Sequence, residues 1–460
     1  MASKHIRIIE EPRMFYESLL RMVRNAKRRI LISSLYIGTE NQELFQALGD
    51  ALRNNPRLQV QMQLDLNRST RLGHGTPSPS TAHSLLPLLS EFPGRVKIHM
   101  FRSPKLKGLM AKLVPPRFNE GWGTWHAKIY GVDDDVIMTG ANANLSYFHN
   151  RQDRYIQIID QPQLVVYFTS FIDSFARFSY QLVPASSPQV SLSPHSQTSP
   201  DGSYALSWPH QSHPTAFESQ AGDTLRTLRK QFEPASSNIT DPNEDLDTVF
   251  YPLVQSGIMG IREEEEALEA LFKHLIKDHR GSQVDLTSGY FALYKPYQDH
   301  TLKDGVDWRI LLQANGFYGS KGLSGRIPDG YTLLEQRFWA RVIRARRESN
   351  GYHGVELSEW EKNGWTYHAK GIWITPPDFY HPTITLFGST NLNSRSANLD
   401  TELSFLLHTR SSTLQQRLDE EVRWLWKDSR TVGAKEWIED RRRVPFGTRL
   451  LVDFIVGSML

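Results

Sequence analysis

The feature that most limits how this chain can fold is a long-range duplication. Residues 122–128 read W-G-T-W-H-A-K, and residues 365–370 read W-T-Y-H-A-K. The surroundings repeat too. Ile30–Tyr36 (I-L-I-S-S-L-Y) echoes Val284–Tyr290 (V-D-L-T-S-G-Y), and Leu58–Leu66 echoes Val306–Ala314. Each triplet precedes an apolar strand ending in a turn of small residues, V-I-M-T-G-A-N at 136–142 and T-I-T-L-F-G-S-T-N at 383–391. The two histidines lie 242 positions apart (368 − 126), far beyond the period of about 20–50 residues that marks a solenoid. The repeat unit is therefore a whole domain.

Within each copy, apolar runs and amphipathic stretches alternate as strand, helix, strand: Ile30–Ile37, then Gln42–Arg53, then Leu58–Leu66. That rhythm predicts an α/β fold with two mixed β-sheets flanked by helices. Two copies meeting across a pseudo-twofold axis would place one active site at their interface, by analogy with isologous contacts. The expected division is a first domain over 1–182, a polar linker over 183–247, and a second domain over 248–460. Ser/Pro-rich residues 183–203 carry the linker reading. Glu263–Lys277 reads as an amphipathic helix whose four leading glutamates, Glu263 to Glu266, form a solvated first turn.

A histidine and a lysine two residues apart on an extended segment point to the same side. His126 and Lys128 thus project together, as do His368 and Lys370, while Trp125, Ala127 and Ile129 turn into a core. Two imidazoles, two ammonium groups and two amide-bearing turns around one bound group suit a phosphodiester. One histidine attacks phosphorus and the other protonates the leaving oxygen. Lysines and turn amides stabilise the charge on the other oxygens. Composition narrows the choice further. The chain has no cysteine, which excludes a thiol nucleophile or a thiolate zinc site. Its charge of 53 − 50 = +3 argues against a protein that coats nucleic acid. The scheme requires neither metal nor cofactor.

These paired motifs resemble the phospholipase D superfamily, whose pattern is H-x-K-x4-D followed by a G-S-x-N-type turn. Longer matches, among them A26-K-R-R-I-L-I-S-S-L-Y-I-G38, Y147-F-H-N-R-Q-D-R-Y155 and G364-W-T-Y-H-A-K-G-I-W373, resemble the mitochondrial phosphatidylglycerophosphate synthases within it. The resemblance implies catalytic roles for His126, Lys128, Asn142, His368, Lys370, Ser389 and Asn391. It also implies that Asp153 and Glu402 orient the histidines. Asp133 completes the first motif, whereas Thr375 stands at that place in the second. The first turn is one residue short, so Asn144 competes with Asn142. The implied reaction joins CDP-diacylglycerol to glycerol 3-phosphate and releases CMP, with His126 as nucleophile and His368 as acid and base. It is a first step toward phosphatidylglycerol and cardiolipin. Serine, phosphatidylglycerol or water as acceptor remain alternatives with the same histidines.

The acceptor's phosphate calls for cations. Arg68, Arg71, Arg151 and Arg395, and Lys321 in the Gly-rich run at 315–322, are the candidates. No nucleic-acid partner is expected, and self-association stays open. The lipid donor calls for a membrane surface. Leu106, Leu109, Met110 and Leu113 form a stripe on a short basic helix, which suits peripheral contact. No uncharged apolar run reaches the length of about 18 residues needed to span a bilayer. The apolar tail from Leu450 to Leu460 is a second docking candidate. The resemblance implies the matrix side of the mitochondrial inner membrane, although the first residues show no targeting pattern.

Overall fold

The computed structural model describes residues 1–73, 79–114, 118–233, 246–314, 327–349, 351, 353–437 and 442–452. Their organisation is two large mixed sheets with helices on their faces. Among these residues the first sheet runs, in spatial order, Ile6–Ile9, Tyr155–Ile158, Asp135–Thr139, Ile129–Val132, Arg29–Ser33, Gln59–Asp65, Val96–Phe101, Tyr180–Pro184, Tyr204–Ser207 and Gln197–Thr198. The second runs Ile261–Arg262, Thr248–Ser256, Glu402–Thr409, Ile384–Gly388, Lys370–Thr375, Ser282–Ser288, Val306–Gln313, Val355–Trp360 and Ser429–Thr431. From Ile6–Ile9 to Tyr180–Pro184, and from Thr248–Ser256 to Ser429–Thr431, the two orders match strand for strand. In each sheet three central strands are parallel and the H-A-K strand is antiparallel to its neighbours.

The helices follow from their sequences. Pro12–Arg24 starts with proline at its first turn, where the missing N–H has no helical partner to lose. Phe15, Leu19, Met22 and Val23 recur at helical spacing and are buried on the sheet. The helix Pro162–Ala176 carries Phe168 against Phe405 of the other half, with ring centroids 5.7 Å apart. The two sheets thus share one apolar interior, since Phe387, Leu403, Phe405 and Leu407 join the core of the first half.

Two expectations need correction. The segment 183–247 is not merely a linker over its described part. Tyr204–Ser207 pairs antiparallel with Tyr180–Pro184 and extends the first sheet, and Glu218–Phe232 is a helix. Tyr204, Trp208, Phe217 and Leu225 bury there. Spaced singly among polar residues, these anchors leave no periodic signal. The glutamate run is also not wholly solvated. Glu264 is 1% exposed and accepts hydrogen bonds from Thr390 Oγ1 (3.0 Å) and Ser404 Oγ (2.5 Å).

Candidate active site

The H-A-K segments sit just before the strands Ile129–Val132 and Lys370–Thr375, and each crosses to the other half. His126 N donates to Thr401 O at 2.9 Å, and Trp125 bridges Thr401 in parallel. In the mirror arrangement, His368 N donates to Gln152 O at 2.7 Å, and Thr366–Tyr367 pairs in parallel with Arg151–Gln152. This reciprocal strand exchange fixes an equivalence between the copies: Gln152 with Thr401, Asp153 with Glu402, and Arg151 with Asp400.

The exchange brings each carboxylate to the opposite histidine. Glu402 accepts from His126 Nδ1 at 2.8 and 2.9 Å, from Ser389 Oγ at 2.5 Å and from Ser396 Oγ at 2.7 Å. Asp153 pairs with His368 Nδ1 at 2.7 Å. Both histidines, both lysines and both carboxylates are buried. Nδ1 as the bonded nitrogen selects the tautomer whose Nε2 carries the lone pair. His126 Nε2 has no hydrogen-bond partner among the described residues. His368 Nε2 lies 3.1 Å from Lys370 Nζ and 3.3 Å from Tyr147 Oη, and Tyr147 Oη in turn accepts from Asn142 Nδ2 at 3.3 Å.

Burial sets the electrostatics. It drives both histidines down, His368 the further because Lys370, Arg151, Lys128 and His126 add to it; Glu402 opposes it at His126. It pushes Lys128 down to about 7 and Lys370 to about 8. Burial works against ionised Glu402, but His126, their hydrogen bond, Lys128 and Ser389 outweigh it and hold the group at about 2. At Asp153 burial prevails over Lys370 and the Arg154 amide, and the group rises to about 6. A cluster of two neutral imidazoles and two readily discharged ammonium groups is tuned to receive an anion.

Other expected residues fall in different places. Asn144 caps the short helix Leu145–His149 by accepting from Ser146 N, and its Nδ2 donates to Glu40; Asn142 is the amide at the site. Asn391 brings its buried Oδ1 without a hydrogen-bond partner. Asp133 lies at the far end of its strand, at φ +53°, and accepts from the backbone of Lys27, Arg28 and Arg29. Arg68 sits 4.3 Å over the Tyr36 ring, 3.9 Å from Glu120, and Arg71 bonds to Glu120. Arg395 pairs with Asp400 at 2.9 Å. Among the described residues Arg151 has no such carboxylate within ion-pair distance. Lys321 lies outside the described residues. Leu109 and Leu113 are 68% and 66% exposed on the helix Gly108–Leu113, but Leu106 is 2% exposed. Leu106 therefore cannot belong to a lipid-facing stripe: the helix starts only after it, which breaks the assumed periodicity. The side chain of Met110 is outside the description, as is the tail beyond Val452. No described helix is long and apolar enough to cross a membrane.

Known proteins place this architecture. No family model matches the chain. A Dictyostelium discoideum protein named a probable CDP-diacylglycerol–glycerol-3-phosphate 3-phosphatidyltransferase is 35% identical, over 99% of this chain and 78% of its own length. The Gallus gallus protein of that name, designated mitochondrial, is 33% identical over 99% of this chain and 84% of its own. The chain belongs to the CDP-diacylglycerol–glycerol-3-phosphate 3-phosphatidyltransferase family. The fold agrees with a solved structure, the phosphatidylserine synthase of Haemophilus influenzae, at a TM-score of 0.72 and 20% identity, covering 100% of this chain and 96% of that one. In this phosphatidyltransferase-family chain, sequence reasoning missed Tyr147, Ser396 and Asp65. Asp65 accepts from Trp125 N at 3.0 Å and Arg68 N at 2.9 Å. Its counterpart Gln313 accepts from Tyr367 N. The aligned repeat pairs Asp65 with Gln313 and could have flagged both.

Proposed function

We propose that the chain transfers a phosphatidyl group from CDP-diacylglycerol to the 1-hydroxyl of glycerol 3-phosphate through a phosphatidyl-histidine on His126. His126 Nε2 attacks the lipid phosphorus and the bond to the CMP oxygen breaks. Protonated at both ring nitrogens once the anionic lipid phosphate is bound, His368 gives its Nε2 proton to the departing CMP and is left with the Nε2 lone pair. It then takes the proton of the acceptor hydroxyl, whose oxygen attacks phosphorus and frees His126. Lys128, Lys370, Asn142 and Asn391 stabilise the charge on the non-bridging oxygens. Asp153 and Glu402, with Ser389, hold the two imidazoles in the tautomer each step needs.

The observation that carries this reading is the pair of crossed Nδ1–carboxylate hydrogen bonds, which prepares both Nε2 atoms for work on one phosphorus. The test uses purified protein, CDP-diacylglycerol and one acceptor at a time: glycerol 3-phosphate, serine, phosphatidylglycerol or water. CMP release driven by glycerol 3-phosphate is expected. Product formed only with serine overturns the choice of acceptor. Trapping lipid phosphorus label on His126→Ala and His368→Ala variants tests the nucleophile; label retained on His126→Ala overturns its assignment. We further place the chain peripherally on the matrix face of the mitochondrial inner membrane, docked through Leu109 and Leu113 beside exposed Lys105 and Lys107. Loss of flotation with anionic liposomes in Leu109→Glu, Leu113→Glu protein is the expected result, and unchanged flotation refutes it.

A further inference from the structure

The two halves agree in strand order, threonines, histidines, lysines and orienting acids, yet at one matched position they carry opposite charge. Two residues before each orienting carboxylate stands Asp400 in one copy and Arg151 in the other. Each meets the threonine two residues before the opposite histidine. Thr124 Oγ1 donates to Asp400 Oδ1 at 2.9 Å, and Arg151 Nε donates to Thr366 Oγ1 at 3.0 Å. On the His126 side, Asp400 neutralises Arg395. The residue matching Arg395 in the first copy is Ser146, because the caps Asn144 and Asn393 align. The His126 side therefore carries 1 − 1 = 0 from these positions and the His368 side +1.

Arg151 is also set apart from the other arginines near the site. Arg68, Arg71 and Arg395 each have a carboxylate within ion-pair distance. Among the described residues Arg151 has none; its guanidinium lies 4.6 Å over the Tyr147 ring. Tyr147 Oη is the group 3.3 Å from His368 Nε2. The cation is thus one phenol ring away from the atom that handles the acceptor proton.

We propose that Arg151 is the specificity residue that reads the phosphate monoester of the acceptor. The inference rests on the reaction proposed above. The acceptor hydroxyl must come within hydrogen-bond reach of His368 Nε2. In glycerol 3-phosphate the phosphate follows three carbons further on, and the Tyr147 ring likewise separates Arg151 from His368 Nε2. The phosphate of departing CMP is joined to the reacting phosphorus through a single bridging oxygen, so it falls nearer Lys128 and Lys370. A planar guanidinium already held by Thr366 and Tyr147 offers its remaining N–H groups as a fork for a dianion. Its absence from the His126 side gives the pseudo-symmetric site a direction: the acceptor enters over His368.

The experiment is steady-state kinetics of full-length protein with CDP-diacylglycerol in mixed micelles, comparing wild type, Arg151→Gln and Arg151→Lys. Losing a charge-assisted contact to phosphate predicts a rise in KM for glycerol 3-phosphate of about 10- to 100-fold in Arg151→Gln. KM for CDP-diacylglycerol and product inhibition by CMP should move by less than about threefold. Arg151→Lys keeps the charge without the fork and should fall between. It also serves as the folding-competent arm if the glutamine variant proves unstable. An unchanged KM for glycerol 3-phosphate in either folded variant overturns the proposal. An equal weakening of CMP inhibition also overturns it, because Arg151 would then read the nucleotide. A fall in kcat alone assigns Arg151 a merely structural part and refutes it as well. Wild type without acceptor-dependent turnover is a different failure, that of the proposed reaction itself.

Discussion

Replacing Glu402 by glutamine is the sharpest test of the crossed arrangement. The carboxylate uses both oxygens: Oε1 accepts from His126 Nδ1 (2.9 Å) and Ser396 Oγ (2.7 Å), and Oε2 accepts from Nδ1 (2.8 Å) and Ser389 Oγ (2.5 Å). An amide offers one acceptor oxygen, so its NH2 must face either a serine or the histidine. Losing one charge-assisted hydrogen bond removes about 1.5–3 kcal/mol, about 10- to 150-fold in rate. If the amide faces Nδ1, the imidazole takes the wrong tautomer, which in comparable histidine–carboxylate pairs lowers kcat by up to about 10⁴-fold. The expected loss in kcat is thus about 10²- to 10⁴-fold, with the melting temperature nearly unchanged because size and most contacts persist. The assay is CMP release under saturating substrates, paired with rapid-quench trapping of labelled lipid on the protein. On the proposed route through phosphatidyl-His126, Glu402→Gln should slow appearance of the covalent species, since Glu402 pairs with His126. Asp153→Asn should slow the steps that need His368. A Glu402→Gln enzyme with more than a tenth of wild-type kcat would refute the reasoning.

Four further outcomes follow from the same geometry. Lys128 and Lys370 must be charged to stabilise the transition state, and burial holds them near 7 and 8, so kcat/KM should fall as pH rises through that window; a profile flat to pH 10 contradicts this. Arg154, 2% exposed, pairs with buried Glu421 across the halves at 2.7 and 2.9 Å and stacks 3.8 Å over Trp373. Arg154→Ala leaves that acid uncompensated and should cost about 3–5 kcal/mol in urea unfolding; less than about 1 kcal/mol would show the contact is idle. Asp133→Ala removes three backbone bonds at a left-handed turn and should lower stability by about 1–3 kcal/mol, while a drop in kcat measured on the remaining folded enzyme would contradict this structural reading. Burial raises Asp65 to about 7, so its contribution is full below its unfolded value and lost as pH rises through 7; Asp65→Asn should flatten thermal stability between pH 4 and 8, and an unaltered slope would contradict that.

Much of this was legible in the sequence because duplication exposes it. The echo of H-A-K, of the small-residue turns and of the strands names six site residues, and alternation in each strand says which side chains face inward. Two things escaped. The first is the crossing. Sequence order pairs Asp153 with the nearby His126, but the strand exchange at Thr401 and Gln152 hands each acid to the distant histidine. No local pattern encodes a partner 215 or 276 positions away. The second is the neutralised arginine. Arg68, Arg71 and Arg395 look alike as phosphate ligands until their carboxylate partners are seen. Only the three-dimensional pairing separates these three from Arg151.

The crossing also explains why the site needs both copies. Within one half, a histidine would keep its lysine but lose the acid that fixes its tautomer, and the Thr–Asp or Thr–Arg contact beside it. The nucleophile and the proton carrier must differ in charge environment although they descend from the same motif. A duplicated chain can change one copy without the other. Here the divergence shows in Asp153 against Glu402, Ala141 against Ser389, and Arg151 against Asp400. Ser389 and Ser396 give Glu402 two hydroxyl donors, whereas the matched residues near Asp153 are Ala141 and Tyr147. Against burial, His126, Lys128 and to a lesser degree Ser389 hold Glu402 ionised, whereas at Asp153 burial prevails. An imidazole backed by a firmly ionised acid is suited to carrying the positive charge of an N–P bond. One backed by a carboxylate of higher proton affinity, beside Arg151, is suited to giving and taking a proton. On the proposed route, the asymmetry between the two steps is thus built from differences around a repeated pair of histidines, not from the histidines themselves.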